Sequence, residues 1–378
     1  MSDYRTDEGL RSIHLRDEDD EPPRDRTPSG HRRKRRSRTK TTLLILLSLV
    51  LILGGGVVLT GYMLSEKFGN QVSRVPAFSQ LPEAERPKKP VGKGADAINI
   101  LLAGSDARTD DAGGGTTGAG KGDNWEDGGQ RSDTIMVLHI TSDRKSAYLI
   151  SIPRDSWVAI PDHGTNKINA AYSYGGPPLY IQTVEKLTGL RIDHLAVIDW
   201  TGFKALTDAL GGVQLDFHQS TRFASGKYYE AGPHTLTGEE ALDYVRERKH
   251  LQNGDFDRIN RQQNFLRGLM RQTLSEGTLS NPLKLGRALD AITQNLSVDE
   301  EFTTRQMQTL ALQMKDLRGS NVTFMTAPTK GTGMEGSQSV VYLDKDKCDT
   351  LWAAIRGDKV GEWLTDNGKD NVLGEQVR

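Results

Sequence analysis

From Thr41 to Ser65 the chain reads TTLLILLSLVLILGGGVVLTGYMLS, with no charged side chain. About 20 apolar residues carry a helix across a bilayer. A cleaved signal peptide has a shorter apolar core and a small-residue cleavage site. A leader as long as residues 1–40 and an apolar core this extended both favour a retained anchor. HRRKRRSRTK, residues 31–40, carries seven Lys/Arg before the span, and the flank after it is mixed. The positive-inside rule then leaves residues 1–40 in the cytoplasm and everything after the span outside the cell membrane. Residues 1–30 are polar and acid-rich, with almost nothing to build a core, and are expected to be disordered. The Gly54–Gly56 triplet is read as a glycine-tolerant lone span.

The rest of the 378 residues must therefore fold outside the cytoplasm. With one cysteine, Cys348, no internal disulfide can staple the domain. It must stand on a hydrophobic core, and Cys348 is expected inside it. The net charge of −1 gives no whole-protein case for nucleic-acid binding.

Prolines 76, 82, 87 and 90 among Lys, Glu and Gly mark residues 66–95 as a stalk. Regular structure is expected from INILLAG at Ile98–Gly104, a continuous apolar run of strand length. SDTIMVLHIT and KSAYLISIP follow, joined by SDRK, a connection so short that it forces an antiparallel hairpin. The Gly-rich stretch 109–130 between the first two strands is expected to be a surface loop. Further on, PLYIQTVEKLTGL has helical spacing, HLAVIDW reads as a strand, and TGFKALTDALGG reads as a helix ending at glycine. GGVQLDF reads as a strand. Thr237 and Glu240 have capping-box spacing, and DFDRINRQQNFLRGLMRQTL is a long helix with Asp255 as its expected N-cap. NVTFMTAP and SVVYLD are strands, KCDTLWAAIRG is a last helix, and residues 358–378 form a polar tail. Alternating strands and helices over 96–357 define one α/β domain, a mixed sheet with helices on both faces in three layers.

Two glycine-rich stretches imitate nucleotide sites. Gly115–Gly122 matches the phosphate-loop spacing up to its lysine, but Gly122 stands where Ser or Thr should hold the metal, and no helix follows. GTGMEG at Gly331–Gly336 spells a dinucleotide fingerprint but precedes a strand-like segment rather than a helix.

YVRERKHLQNGDFDRINRQQ, Tyr244–Gln263, concentrates arginines, acids and paired glutamines. Arg258, Arg261 and Gln262 share a helix face by their i, i+3, i+4 spacing. Arg246 and Arg248 lie on the preceding segment, across a turn at Asn253–Gly254. Guanidinium forks match phosphate oxygens in pairs, as lysine cannot. Surface pairing with Glu247, Asp255 and Asp257 explains the same residues. The hairpin bears on this choice. A turn centred between Asp143 and Arg144 sets Asp133 opposite Arg154. If the first strand lies beside the hairpin, parallel to its second strand, Asp106, Arg108, Arg131, Asp133, Arg154 and Asp155 share one sheet edge. Ligands of open α/β sheets bind at such edges. Two carboxylates among arginines suit a Mg²⁺–diphosphate, while structural ion pairs at a sheet rim remain the bland alternative.

NILLAGSDAR, RSDTIMVLHI, SIPRDSWV, KINAAYSYGG, DYVRERK and DFDRINRQQ, in this order over residues 96–357, resemble the LytR-CpsA-Psr family. The resemblance implies an extracytoplasmic ligase that moves a glycopolymer from a polyprenyl diphosphate carrier onto peptidoglycan, a partner set without nucleic acid. It implies Mg²⁺ on Asp106 and Asp133, and a diphosphate grip of Arg154, Arg246, Arg248, Arg258 and Gln262. Arg108, Arg131, Lys167 and Asn169 are further diphosphate candidates, and Asp155 is the candidate base. HLAVIDWTGFKAL and FLRGLM are expected to line a slot for the lipid tail, or simply to be core. An anchored polyprenyl diphosphate sensor and a diphosphate hydrolase are the competing readings.

Overall fold

The strand-length apolar runs assemble into a mixed sheet flanked by helices. The computed structural model describes residues 72–105, 132–247, 251–273, 296–314, 317 and 319–374. The cytoplasmic segment and membrane span expected over 1–65 lie outside them, as does the glycine-rich stretch 109–130. Among the described residues no helix is long and apolar enough to cross a membrane. In chain order the elements are β1 (Ser73–Val75), β2 (Ile98–Ser105), β3 (Ser132–Ile140), β4 (Ala147–Ser151), β5 (Trp157–Ile160), β6 (Gly164–Lys167), α1 (Ala170–Thr188), β7 (His194–Asp199), α2 (Trp200–Ala209), β8 (Val213–Phe217), β9 (Thr221–Arg222), β10 (Tyr228–Tyr229), β11 (Gly232–Leu236), α3 (Gly238–Arg246), α4 (Asp255–Thr273), β12 (Leu296–Asp299), α5 (Thr304–Gln313), β13 (Val322–Thr326), β14 (Thr329–Glu335), β15 (Gln338–Leu343), α6 (Lys345–Arg356) and α7 (Val360–Asn367).

The main sheet has the order β1-β12-β7-β2-β3-β4-β13. Strands β2, β3 and β4 are apolar on both faces because both faces are covered. Leu101, Ile135, Val137, Ile150 and Leu195 pack one face against Tyr180 and Val184 of α1 and Leu351, Trp352 and Ile355 of α6. Ile100, Met136, Leu149, Ala196 and Phe324 pack the other against Leu266 and Met270 of α4 and Leu310 of α5. A satellite core joins β8 and β11 to α3 and α4 through Phe217, Phe223, Tyr244 and Phe265. Thr237 and Glu240 form the expected capping box at the start of α3. Cys348 is buried, its thiol donating to the Pro328 carbonyl at 3.3 Å, and burial pushes the thiol pKa up to about 12. Gly331–Gly336 belongs to the β14–β15 hairpin, which excludes a dinucleotide loop there.

Several boundaries differ from the sequence expectation. The described part of the stalk, 72–95, is built into the domain. β1 pairs in parallel with β12 at the sheet edge, and Val75, Ala77 and Phe78 are buried. The Glu300 carboxylate accepts from the amides of Ala77 (2.8 Å), Phe78 (3.0 Å) and Ser79 (2.7 Å). Arg86 makes a buried ion pair with Glu185 at 2.7 Å. Each anchor is one residue long, so no periodicity announces it. The partner strand β12 was also missed, because two of its four residues, Ser297 and Asp299, are polar. Asp299 is fully buried, satisfied by the amides of Leu195 (3.0 Å) and Glu301 (3.0 Å). The helix expected at PLYIQTVEKLTGL begins earlier, at Ala170, with a kink at Gly175–Gly176. Asp255 is the first residue of α4 rather than its cap, and Gly254 precedes it with φ 56°.

The expected polar tail is also structured up to residue 374. α7 buries Val360 and Trp363, and Val372 bridges to Met325 on the free edge of β13. Asp358, with φ 55°, ties the start of this segment to the sheet. Its carboxylate accepts from the Ser142 hydroxyl at 2.6 Å and amide at 3.1 Å, and meets His139 Nε2 at 3.2 Å. Burial raises the Asp358 pKa, but the bonds to His139 and Ser142 outweigh it and hold it below the ordinary value. A depressed carboxyl pKa contributes stability above the unfolded value, about 3.9, that is lost as pH falls through the folded value. Asp358→Asn, which tolerates the left-handed backbone, is therefore expected to destabilise the protein at pH 7. The gap to the unmodified chain should close as pH falls below about 4. Urea unfolding of both proteins across this range checks it, and a gap independent of pH would refute it.

Candidate active site

β2 runs parallel to β7 and antiparallel to β3, β3 antiparallel to β4, and β4 parallel to β13. The carboxyl ends of β2, β4, β7 and β13 and the start of β3 thus meet at one edge, where open α/β sheets bind ligands. The hairpin register is the expected one, from Ile140↔Ala147 to Met136↔Ser151. The ladder ends before Arg154, however. Ile152 donates to Ile135 at 2.9 Å, Pro153 has no N–H, and Ser156 closes a turn by donating its amide (2.9 Å) and hydroxyl (2.6 Å) to the Pro153 carbonyl. Arg154 and Asp155 stand on this turn, and Asp133 is not paired across from Arg154.

Asp133 occupies a β-bulge instead. Gly104 pairs with Thr134 and Ser105 with Ser132, which leaves Asp133 as the extra residue. Ser132 holds the bulge, donating to the Thr134 carbonyl at 2.9 Å and sharing a bond with the Tyr180 hydroxyl at 3.2 Å. Burial pushes the Tyr180 hydroxyl pKa up, so it stays protonated. Asp106, Arg108, Arg131 and Arg248 lie outside the described residues, and Asp133 is described in its backbone alone.

The described cations form a chain with two carboxylates between them. Lys167 Nζ lies 3.3 Å from Asp155 Oδ1, and Asp155 Oδ2 lies 3.7 Å from Arg154 Nε. Arg154 Nε is 3.6 Å from Asp255 Oδ1, which is 2.5 Å from Arg258 Nη2. Asp255 therefore couples the turn after β4 to α4. Residues 167 and 169 reach this turn through the β5–β6 hairpin: Ile168 donates to Ser156 at 2.8 Å and Asn169 to the Arg154 carbonyl at 3.2 Å. Arg258 is 2 % exposed, which excludes the reading of a solvated surface helix for this residue.

Arg246 does not join this chain among the described contacts. It is exposed, with its guanidinium 4.6 Å from the ring centroid of Trp200 at the start of α2. Arg261 is structural: it donates to Thr221 Oγ1 at 2.7 Å and lies over the Tyr244 ring at 4.8 Å. Burial pulls its pKa down, against Glu247 and Asp257. The glutamine pair divides its work. Gln263 clamps α4 to the sheet, donating to Ser151 Oγ (2.7 Å) and the Met325 carbonyl (2.8 Å). Gln262 lines an apolar cavity of about 210 Å³ between the sheet and α2, α3 and α4. Met136, Trp200, Phe203, Phe265, Leu266 and Leu269 wall it, so both segments expected to form a slot do so. Sequence reasoning offers Asp255 as a helix cap or a surface partner, and Trp200 as slot lining or core. The i, i+3 spacing of Asp255 and Arg258 was the available signal.

The apolar slot and the charged rim thus lie at the same strand ends. The chain belongs to the LytR-CpsA-Psr family: the LytR_cpsA_psr family model matches residues 67–357. It is 36% identical over 322 residues to the cell wall biosynthesis protein LcpA of Corynebacterium glutamicum, covering 76% of this chain and 60% of LcpA. The chain thus spans about three fifths of LcpA's length. It is 32% identical to the polyisoprenyl-teichoic acid–peptidoglycan teichoic acid transferase TagU of Oceanobacillus iheyensis, over 70% of this chain and 77% of TagU. The fold matches a structure of TagT bound to LI-WTA with a TM-score of 0.55 and 25% identity, covering 75% of this chain and 99% of that one.

Proposed function

We propose that this chain is a membrane-anchored phosphotransferase that moves a glycopolymer from a polyprenyl diphosphate carrier onto a peptidoglycan sugar hydroxyl and leaves a phosphodiester link. The observation that carries this reading is the apolar slot beneath a rim where Arg154 and Arg258 converge on Asp255. A prenyl tail suits the slot, since burying apolar surface contributes about 25 cal/mol per Å². A diphosphate suits the rim, where oriented guanidiniums neutralise charge. The name of TagU, a transferase from polyisoprenyl-teichoic acid to peptidoglycan, supports the same class of donor and acceptor.

In this reading Arg154, Arg246, Arg248, Arg258 and Gln262 grip the diphosphate, with Arg108, Arg131, Lys167 and Asn169 around them. The sugar hydroxyl attacks the glycan-side phosphorus. The bond from that phosphorus to the bridging oxygen breaks, and polyprenyl phosphate leaves with the electron pair. The hydroxyl proton passes to a base or to solvent. Asp155 is the candidate base, and that role requires it to release Lys167 or Arg154, which it otherwise orients. Asp106 follows the last residue of β2, and Asp133 is the bulged residue beside the paired Ser132. The carboxylate chemistry of both residues, with the strand bulge at Asp133, fits Mg²⁺. When bound, the ion would neutralise charge on the diphosphate.

The test is to incubate the full-length chain with a lipid-diphosphate glycan, Mg²⁺ and peptidoglycan fragments, and to weigh the products. A joined glycan–peptidoglycan product with released polyprenyl phosphate is expected. Glycan phosphate released onto water would make the protein a hydrolase, and binding without turnover would make it a sensor.

A further inference from the structure

A second cavity, about 360 Å³, lies at the same edge of the sheet, beside β13. Its walls are unlike those of the slot. Asp257, Asn260, Thr326, Asp370 and Asn371 line it together with the ring of Phe256, and among its described walls there is no lysine or arginine. Asp257 is already bonded to Asn253, through the amide at 2.9 Å and the side chain at 3.1 Å. The side-chain amides of Asn260 and Asn371 have no hydrogen-bond partner among the described residues.

This composition selects by exclusion. Two carboxylates and no cation repel a phosphate. Phe256, Ala327, Val372 and Leu373 are the apolar part of a wall that is otherwise amide, hydroxyl and carboxylate, a poorer seat for a prenyl chain than the slot. Planar amides and carboxylates instead offer paired donors and acceptors to neighbouring hydroxyls, and a ring such as Phe256 suits the C–H face of a pyranose. The ligand class is a neutral, polyhydroxylated sugar.

The position says which sugar. Along the edge the order is β7-β2-β3 over the slot, then β4 with the Arg154 turn, then β13 with this cavity. The helix α4 divides the two cavities. Asn260 and Gln262 are two residues apart, about 200° around the helix, so they open onto opposite sides. In phosphoryl transfer the attacking and leaving oxygens lie roughly in line. With the polyprenyl phosphate leaving on the slot side, the attacking hydroxyl approaches from the other side of the charged rim. We propose that the cavity beside β13 is the acceptor subsite, holding an uncharged N-acetylglucosamine ring of the peptidoglycan glycan strand; its assignment to the acceptor rests on the transferase reading above.

One wall of this subsite is the segment 370–374, past residue 357, where the family match ends. Backbone bonds fasten it to β13: Thr326 donates to Asn371 at 2.8 Å and Leu373 to Phe324 at 2.8 Å. Arg267 also donates to the Gly374 carbonyl at 2.9 Å.

The test uses the full-length chain with Asn260→Ala, Asn371→Ala and the double variant. Soluble, peptide-free peptidoglycan oligosaccharides are titrated by calorimetry in the absence of donor, and a polyprenyl diphosphate glycan is titrated separately. Each lost hydrogen bond should weaken oligosaccharide binding by about three- to tenfold. Donor affinity and the thermal transition should stay unchanged. Unchanged oligosaccharide binding in the double variant overturns the proposal. So does a loss confined to the donor, which would make this the seat of the donor glycan. Because the titration involves no turnover, failure of the transferase reading would show as intact oligosaccharide binding without product. Failure of the subsite would show as product formation indifferent to both asparagines.

Discussion

Arg258→Lys is expected to weaken polyprenyl diphosphate binding about ten- to a hundredfold, for the loss of about 1.5–3 kcal/mol in one charge-assisted hydrogen bond. The substitution keeps the positive charge. It loses the planar fork that lets one side chain face Asp255 and a second anion together. Arg258 is 2 % exposed and 2.5 Å from Asp255, which also approaches Arg154. A lysine ammonium at this depth satisfies fewer oxygens, so a lower thermal transition accompanies the loss. Arg271→Lys, in the exposed last turn of the same helix, serves as the control and should change neither property. An exposed ion pair is worth about 0–1 kcal/mol. Binding by Arg258→Lys within threefold of the unmodified chain would therefore assign this arginine to structure alone.

How much of this was legible in the sequence depended on the kind of signal. β2, β3 and β4 were readable because their apolar runs match strand length and the SDRK connection allows only a hairpin. The capping box was readable because Thr237 and Glu240 are local partners. β1, β12 and the segment after 357 were not. β1 and β12 are fastened by single polar anchors, such as Glu300 under Ala77–Ser79 and Asp299 under Leu195, whose partners are distant in sequence, while α7 buries just Val360 and Trp363, too few to set a period. Hydrophobic periodicity carries no trace of such bonds.

The site divides in the same way. The family motifs identified Arg154, Lys167, Asn169 and Arg258, and the structure brings these together. The coupling between them was hidden. Asp255 serves two guanidiniums from segments about a hundred residues apart, and Trp200 carries Arg246 from another element. The i, i+3 spacing sets Arg258 and Arg261 on one helix face, with Arg246 on the preceding segment. Burial separates them instead: Arg258 into the charged chain, Arg261 onto Thr221 and Tyr244, and Arg246 onto an exposed indole.

Asp133→Ala is expected to lower Mg²⁺-dependent turnover by about 10²–10³-fold, the usual effect of removing one preorganised electrostatic group from a reacting centre. The bulge itself should survive. It is set by Ser105↔Ser132 and Gly104↔Thr134 pairing and fastened by the Ser132–Tyr180 contact, none of which uses the Asp133 side chain. The thermal transition in EDTA should accordingly match that of the unmodified chain. A ligand that binds the folded state alone raises the transition with its concentration. Added Mg²⁺ should therefore raise the transition of the unmodified chain and leave that of Asp133→Ala in place. This second readout is independent of turnover. If Asp133 were a structural ion-pair partner, the variant would melt lower already in EDTA, and Mg²⁺ would shift neither protein. Full turnover in EDTA by the unmodified chain would remove the metal from the reaction, and the rim arginines would then carry the whole charge of the diphosphate.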